Sequence, residues 1–147
     1  MRRLERAWLA LTTALALHVV DEASNDFLSF YNPMVLRLRD RYAWFPMPTF
    51  TFWPWLIGLT LLVLFLFTLT ASVRRDGRWV RVAGYPFAFI MLLNGIGHIA
   101  FSVNEGRMIA GAWTAPLLLA ASLYMFVALL TKSVIADNAD TPQPNAD

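Results

Sequence analysis

The stretch LALTTALALHVVDEASNDFLSF, Leu9–Phe30, decides how this chain is read. Its first half is the apolar run of a membrane helix; then His18, Asp21, Glu22, Asn25 and Asp26 follow within nine residues. A helix turns about 100° per residue, so His18, Asp21, Glu22 and Asn25 fall within an arc of roughly 100°. The same stripe continues through Leu15, Leu11 and Trp8. Polar side chains gathered on one face of an apolar helix point at a protein interior, because lipid cannot satisfy them. Ala7–Val20 supplies only fourteen residues, against the roughly 20 needed to cross a bilayer. The segment therefore spans only if the helix runs on through the polar cluster to about Tyr31. Two other readings compete. The helix could end near Val20 and leave the acids in a wet loop, or the Arg-rich start and short apolar run could be a signal peptide. A cut after Ala23 would place Asp21 where a small neutral side chain is preferred, and a cut after Ala16 leaves a minimal apolar region.

Three further apolar segments set the class. Thr51–Val73 carries no charge, Val82–Val103 is interrupted only by Asn94 and His98, and Ala115–Thr131 ends at Lys132. With 58 % hydrophobic and 15 % charged residues in 147, the chain lies on the membrane side of ordinary composition. The predicted fold is all-α, a four-helix transmembrane bundle with helices at about 7–31, 51–73, 82–103 and 115–132. Between the first two helices, Tyr31–Trp55 holds Pro33, Pro46, Pro48 and Pro54 among aromatics, which predicts an irregular lid at headgroup level on the outer face. Residues 1–132 form the membrane domain, and 133–147 form a disordered polar tail.

Arg2, Arg3, Arg6, Arg74, Arg75, Arg78, Arg81 and Lys132 lie on one side of this topology, and Arg37, Arg39, Arg41 and Arg107 on the other. The positive-inside rule then puts both termini in the cytoplasm, with the protein in the inner (cytoplasmic) membrane. Arg37, Arg39 and Arg41 read as headgroup contacts. A formal charge of +2 gives no reason to expect nucleic acid as a partner; the lipid bilayer is the expected one. With no cysteine, a disulfide, a thiolate nucleophile and a Cys-based metal site are all excluded.

The second half of the polar constellation is on the third helix. Asn94 and His98 are four apart and stack on one face, with Gly95 and Gly97 allowing close helix approach. From Arg6 to Glu22 is sixteen residues and from Arg81 to His98 seventeen, so in parallel helices both lie about 25 Å from the inner surface. Thr114, an N-cap before Ala115-Pro116, falls near the same level on the fourth helix. His18, Asp21, Glu22, Asn94 and His98 are thus the candidate site, supported by Asn25 and Thr114. In a plainer reading, Asn94 and His98 are interhelical hydrogen-bond glue.

Three motifs, His18-Val19-Val20-Asp21-Glu22, Asn94-Gly95-Ile96-Gly97-His98 and Arg107–Ala115 (RMIAGAWTA), resemble in order and spacing the HXXEE family of small bacterial membrane proteins. Asp21 stands where that family has its first Glu, Met108 where it has Tyr, and Ala110 where it has Pro. The resemblance sharpens the site and implies no established activity.

Three chemistries use these groups. An intramembrane enzyme acting on a lipid-like or small apolar substrate would use Glu22 as acid and His98 or His18 as base, oriented by Asn94. A single divalent metal ion, zinc or iron, would be held by His18, Glu22 and His98, with Asp21 as a fourth ligand and Asn25 behind it. A non-enzymatic proton- or solute-binding protein, or a partner subunit, would use the same groups as a relay or as packing polarity. Four helices are too few for an inverted-repeat transporter unless the chain forms an oligomer.

Overall fold

The structure, a computed structural model, describes residues 3–75 and 78–139. They form α1 (Arg3–Ser24), α2 (Phe27–Arg41), α3 (Phe52–Thr68), α4 (Thr70–Arg74), α5 (Arg78–Glu105) and α6 (Ala115–Ala139), and the described residues contain no strand. The fold is all-α.

α1 is the hub. Its apolar residues recur at helical spacing, and Leu4, Trp8, Leu11, Leu15 and Val19 are buried against α3, α5 and α6. The contacts fix the directions. Trp8 reaches Leu66 near the far end of α3, and Glu5 reaches Arg74 of α4, so α1 and α3–α4 are antiparallel. Arg3 meets Thr131 and His18 meets Thr114, so α1 and α6 are antiparallel as well. Trp8 packs on Phe87, and His18 on His98, which makes α1 and α5 parallel. Gly95 allows α5 to close on α6: a Cβ there would lie 2.9 Å from Leu119 and 3.2 Å from the Ala115 carbonyl.

α3 and α4 form one rod with a flaw at Leu69. The Leu66 carbonyl there accepts a hydrogen bond from the Trp8 indole at 3.0 Å, while the Thr68 hydroxyl takes the Phe65 carbonyl. Phe52–Arg74 and Val82–Glu105 are long and apolar enough to cross a membrane. Many of their side chains face outward, among them Ile57, Leu61, Phe65, Phe89, Ile90 and Ile96.

Three boundaries differ from those predicted. The first helix starts at Arg3 and stops at Ser24, not near Tyr31, because Asp26 takes a left-handed conformation (φ 53°) that breaks the ladder. A new helix, α2, then occupies the first part of the predicted irregular lid and passes through Pro33. Proline removes one N–H from the ladder, yet Leu28, Tyr31 and Val35 form an apolar stripe that packs on Trp55, and that packing outweighs the local penalty. The chain returns along residues 42–51, clipped to α2 by Tyr31 Oη donating to the Pro48 carbonyl (3.0 Å) and by a two-way pair between Asn32 and Phe50. Pro54 sits in the first turn of α3, where its missing N–H has no partner to lose. Finally, α6 continues to Ala139, beyond the predicted start of the tail at residue 133. No glycine or proline interrupts Ser133–Ala139, so nothing local stops the helix. The remainder of the predicted tail lies outside the described residues.

Candidate functional site

α1 delivers two polar side chains from one face. His18 and Glu22 are one turn apart and both buried, His18 completely. α5, running parallel, brings His98 to the same height, and the two imidazoles meet edge to face with centroids 4.6 Å apart. Glu22 Oε1 lies 3.1 Å from His98 Nε2 and 3.5 Å from His18 Nε2. One ligand atom from each of the three residues falls within 4.8 Å of the others. The matching depth expected from residue spacing is therefore realised as direct contact.

The third wall is the segment between α5 and α6. Gly106 (φ 63°) and Gly111 (φ 83°) turn it back on itself, and Ile109–Ala112 are buried. The Ser102 hydroxyl anchors it by accepting the Ile109 N–H at 3.2 Å. This re-entrant segment presents the Ala110 carbonyl to His98 Nδ1 at 2.7 Å. It also places Gly111 flat against both rings: a Cβ at Gly111 would lie 2.6 Å from Cε1 and Nδ1 of His98 and 2.9 Å from Cε1 of His18. Only glycine fits both that left-handed backbone and that gap.

The outer hydrogen bonds assign the tautomers. A carbonyl only accepts, so His98 Nδ1 carries the proton and donates it to Ala110. Thr114 Oγ1 donates to Asp21 Oδ2 (2.9 Å) and so accepts from His18 Nδ1 (2.8 Å). That leaves Nε2 of both imidazoles facing the Glu22 carboxylate oxygen. Two imidazole nitrogens and a carboxylate oxygen converge there, and His18 Nε2 is buried without a hydrogen-bond partner. Phe27 closes the region from the α2 side, its ring centroid 5.5 Å from that of His98.

Asp21 is not among the converging ligands. Its Oδ2 accepts from both the N–H (3.0 Å) and the hydroxyl of Thr114, and Oδ1 accepts from Asn25 Nδ2 at 2.9 Å. It therefore pins the start of α6 and orients His18 through Thr114, and is not a fourth ligand. Asn25 sits in the turn after α1 and steadies Asp21. Asn94 does not orient His98, because Ala110 holds that nitrogen; it lies one turn away, lining a cavity between α2 and α5. Gly97 likewise makes no close helix approach, since a Cβ there would meet nothing within 4 Å.

Reading the sequence missed Ala110 and Gly111 as site residues. The Ala110 role uses a main-chain oxygen, which no side-chain pattern reveals and which tolerates the exchange of Pro for Ala. Gly111 was visible only as the glycine of RMIAGAWTA. Met108, in the same stretch, is 51 % exposed and takes no part.

No curated protein and no solved structure matches the chain. A family model described as "Protein of unknown function with HXXEE motif" matches residues 8–125, a span that holds every side chain of the cluster. The chain belongs to this HXXEE family, and His18-Val19-Val20-Asp21-Glu22 is its form of the motif.

Proposed function

We propose that the protein is an integral membrane protein in which His18, Glu22 and His98 bind one divalent metal ion of the zinc or iron class. The observation that carries this reading is the convergence of a carboxylate oxygen with two Nε2 atoms, each on a ring whose Nδ1 is held by an outer partner. Metal–ligand bonds of about 2.1 Å put neighbouring ligands roughly 3.0 Å apart in an octahedral site and 3.4 Å in a tetrahedral one. The Glu22 contacts, 3.1 and 3.5 Å, lie within about 0.1 Å of those two separations. The outer partners follow the same logic. A ligating histidine ordinarily donates its other N–H to a carbonyl or a carboxylate; His98 gives it to Ala110, and His18 to Asp21 through Thr114. Two histidines and one carboxylate leave coordination positions open, the arrangement of metal centres that act on a substrate. Bound there, the metal would supply Lewis acidity or redox chemistry.

Four membrane crossings, by α1, α3–α4, α5 and α6, fit the same picture. α1 carries ionisable groups, but Glu5, His18, Asp21 and Glu22 are buried while Leu17 and Val20 face outward. A spanning helix must distribute its charges this way. Both termini then share the arginine-rich side, which the positive-inside rule makes cytoplasmic, and the cluster lies in the outer part of the span. α2 and the 42–51 return, rich in exposed aromatics and arginines, suit the outer interface.

A second reading, acid–base chemistry without metal, is favoured by the 3.1 Å Glu22–His98 contact, short enough for a shared proton. It leaves His18 Nε2 without a partner, which the metal reading does not. Elemental analysis of protein purified in mild detergent without chelator decides between them. Near-stoichiometric zinc or iron in the wild type, lost in His98→Ala, is the expected result. Metal-free protein that is folded and remains metal-free on addition of zinc or ferrous iron would overturn the metal centre and leave the proton-sharing pair.

A further inference from the structure

A cavity of about 190 Å³ lies between α2 and α5, with His98 as its shared wall with the cluster. Phe30 and Met34 from α2 and Leu93 and Phe101 from α5 line it with hydrocarbon. Its polar groups are few. The Tyr31 hydroxyl is already committed to Pro48, and His98 Nδ1 to Ala110. The Asn94 carboxamide makes no hydrogen bond to any described residue. Asn94 is half-buried, and its unpaired amide, which can both donate and accept on this apolar lining, is suited to a ligand. No Asp, Glu, Lys or Arg lines the space, which selects a neutral molecule. Its volume is below the roughly 300–1,000 Å³ of sites that hold drug-sized ligands, and suits one unbranched chain better than a ring system. Leu93, Ile96 and Phe101 beside it are exposed on the outer surface of α5, so the approach lies through the apolar shell that would face lipid.

Gly97 keeps the space open. Gly84, Gly95 and Gly111 are each closed in by neighbouring side chains, whereas Gly97 has no atom within 4 Å of where a Cβ would be, and it lines this cavity. Helix contact therefore does not explain a glycine there.

We propose that the cavity between α2 and α5 admits the single hydrocarbon chain of a lipid-like substrate sideways from the bilayer, and that Asn94 hydrogen-bonds its neutral polar end beside His98. This deepens the reading of the buried cluster as a membrane metal centre and rests on it for what becomes of the bound molecule. Asn94 is in this scheme a substrate-positioning residue.

The test uses full-length protein in phosphatidylcholine nanodiscs and, as probe, a long-chain fatty alcohol with a diazirine at its chain end. Photolabelling is expected to saturate and to map to Met34 and Phe101. Gly97→Leu, which fills the cavity, should weaken it about tenfold, while Gly97→Ala stays within about twofold of wild type. Wild type should prefer the alcohol to the matching diazirine alkane, and Asn94→Leu should abolish that preference without changing metal content. Labelling that never saturates and spreads over the outer faces of α3 and α6 would overturn the proposal. So would equal labelling of wild type and Gly97→Leu, or an alcohol preference that survives Asn94→Leu. Metal content of the same samples keeps the two readings apart: a metal-free wild type that still labels saturably condemns the metal centre alone, and metal-loaded protein without saturable labelling condemns the cavity alone.

Discussion

Gly111→Ala tests the site through a residue that donates nothing to it. The new methyl carbon would lie 2.6 Å from His98 and 2.9 Å from His18, where ordinary contact starts at 3.4 Å, so the rings must retreat by about 0.8 and 0.5 Å. Metal–ligand distances tolerate only about 0.2 Å. Neither ring can slide freely, because His98 is held by the Ala110 carbonyl next door in sequence and His18 by Thr114. Moving them breaks the outer hydrogen bonds as well as the ligand geometry. Disturbing an outer partner alone lowers metal affinity 10–100-fold; displacing two ligands together should lower it by about a hundredfold or more. The alanine also suffers from the left-handed backbone, φ 83°, by roughly 1–2 kcal/mol. Gly106→Ala isolates that second effect: its φ is 63°, and a Cβ there meets nothing within 4 Å. Zinc affinity measured by competition with a chromophoric chelator, beside thermal unfolding of both variants, separates the two contributions. Gly106→Ala should lose stability and keep its metal; Gly111→Ala should lose both. Wild-type affinity in Gly111→Ala would refute the assignment of the two imidazoles as ligands.

Two more perturbations probe the parts that hold the site and the fold. Thr114→Val removes the hydroxyl that links His18 to Asp21 and is expected to weaken metal binding about 10–100-fold, whereas Thr114→Ser should retain it; equal affinities in the same chelator competition would show that the link is idle. At the opposite end of α1, Arg74→Ala strips the partner from Glu5, which is 2 % exposed and receives both Arg74 contacts at 2.8 Å. Arg74 is itself 68 % exposed, so solvent screens the attraction, and the expected destabilisation of about 1–3 kcal/mol comes mainly from the carboxylate left buried. Adding Glu5→Leu to Arg74→Ala should recover most of it in denaturant unfolding, with zinc affinity unchanged throughout; no recovery would show that the pair does not act through the buried charge.

Periodicity made much of this legible. Trp8, Leu11, Leu15, His18 and Glu22 lie on one buried stripe because a helix returns to the same face every three to four residues, and spacings of sixteen and seventeen residues from two arginine clusters suffice to bring Glu22 level with His98. The failures share a cause. A single left-handed residue, Asp26, ends α1 early, and Asp is only one of several residue types that tolerate that conformation. α2 forms across Pro33 because Trp55, distant in sequence, covers its stripe. Asp21 shares the face of Glu22, which groups it with the ligands on a helical wheel, yet its shorter side chain reaches Thr114 instead. Which neighbour captures a side chain is set by the packing of α6 and the re-entrant segment, and a helical wheel of α1 contains neither.

The same comparison bears on why Asp and Glu are adjacent in the motif. Consecutive residues on a helix point about 100° apart, so two neighbouring carboxylates cannot easily serve one point. Here they serve two: Glu22 turns to the imidazoles of α1 and α5, and Asp21 turns to the first turn of α6. On the proposed metal reading, the motif is a ligand paired with a clamp. His18 belongs to both, with Nε2 facing Glu22 and Nδ1 tied through Thr114 to Asp21. Docking α6 on α1 and aligning His18 for a ligand are in this arrangement a single event. A site built so is complete only when three helices and the re-entrant segment have assembled, and its imidazoles are aimed before anything binds. That prior aim matters most in an apolar interior, where a misdirected lone pair finds no water to accept a bond from.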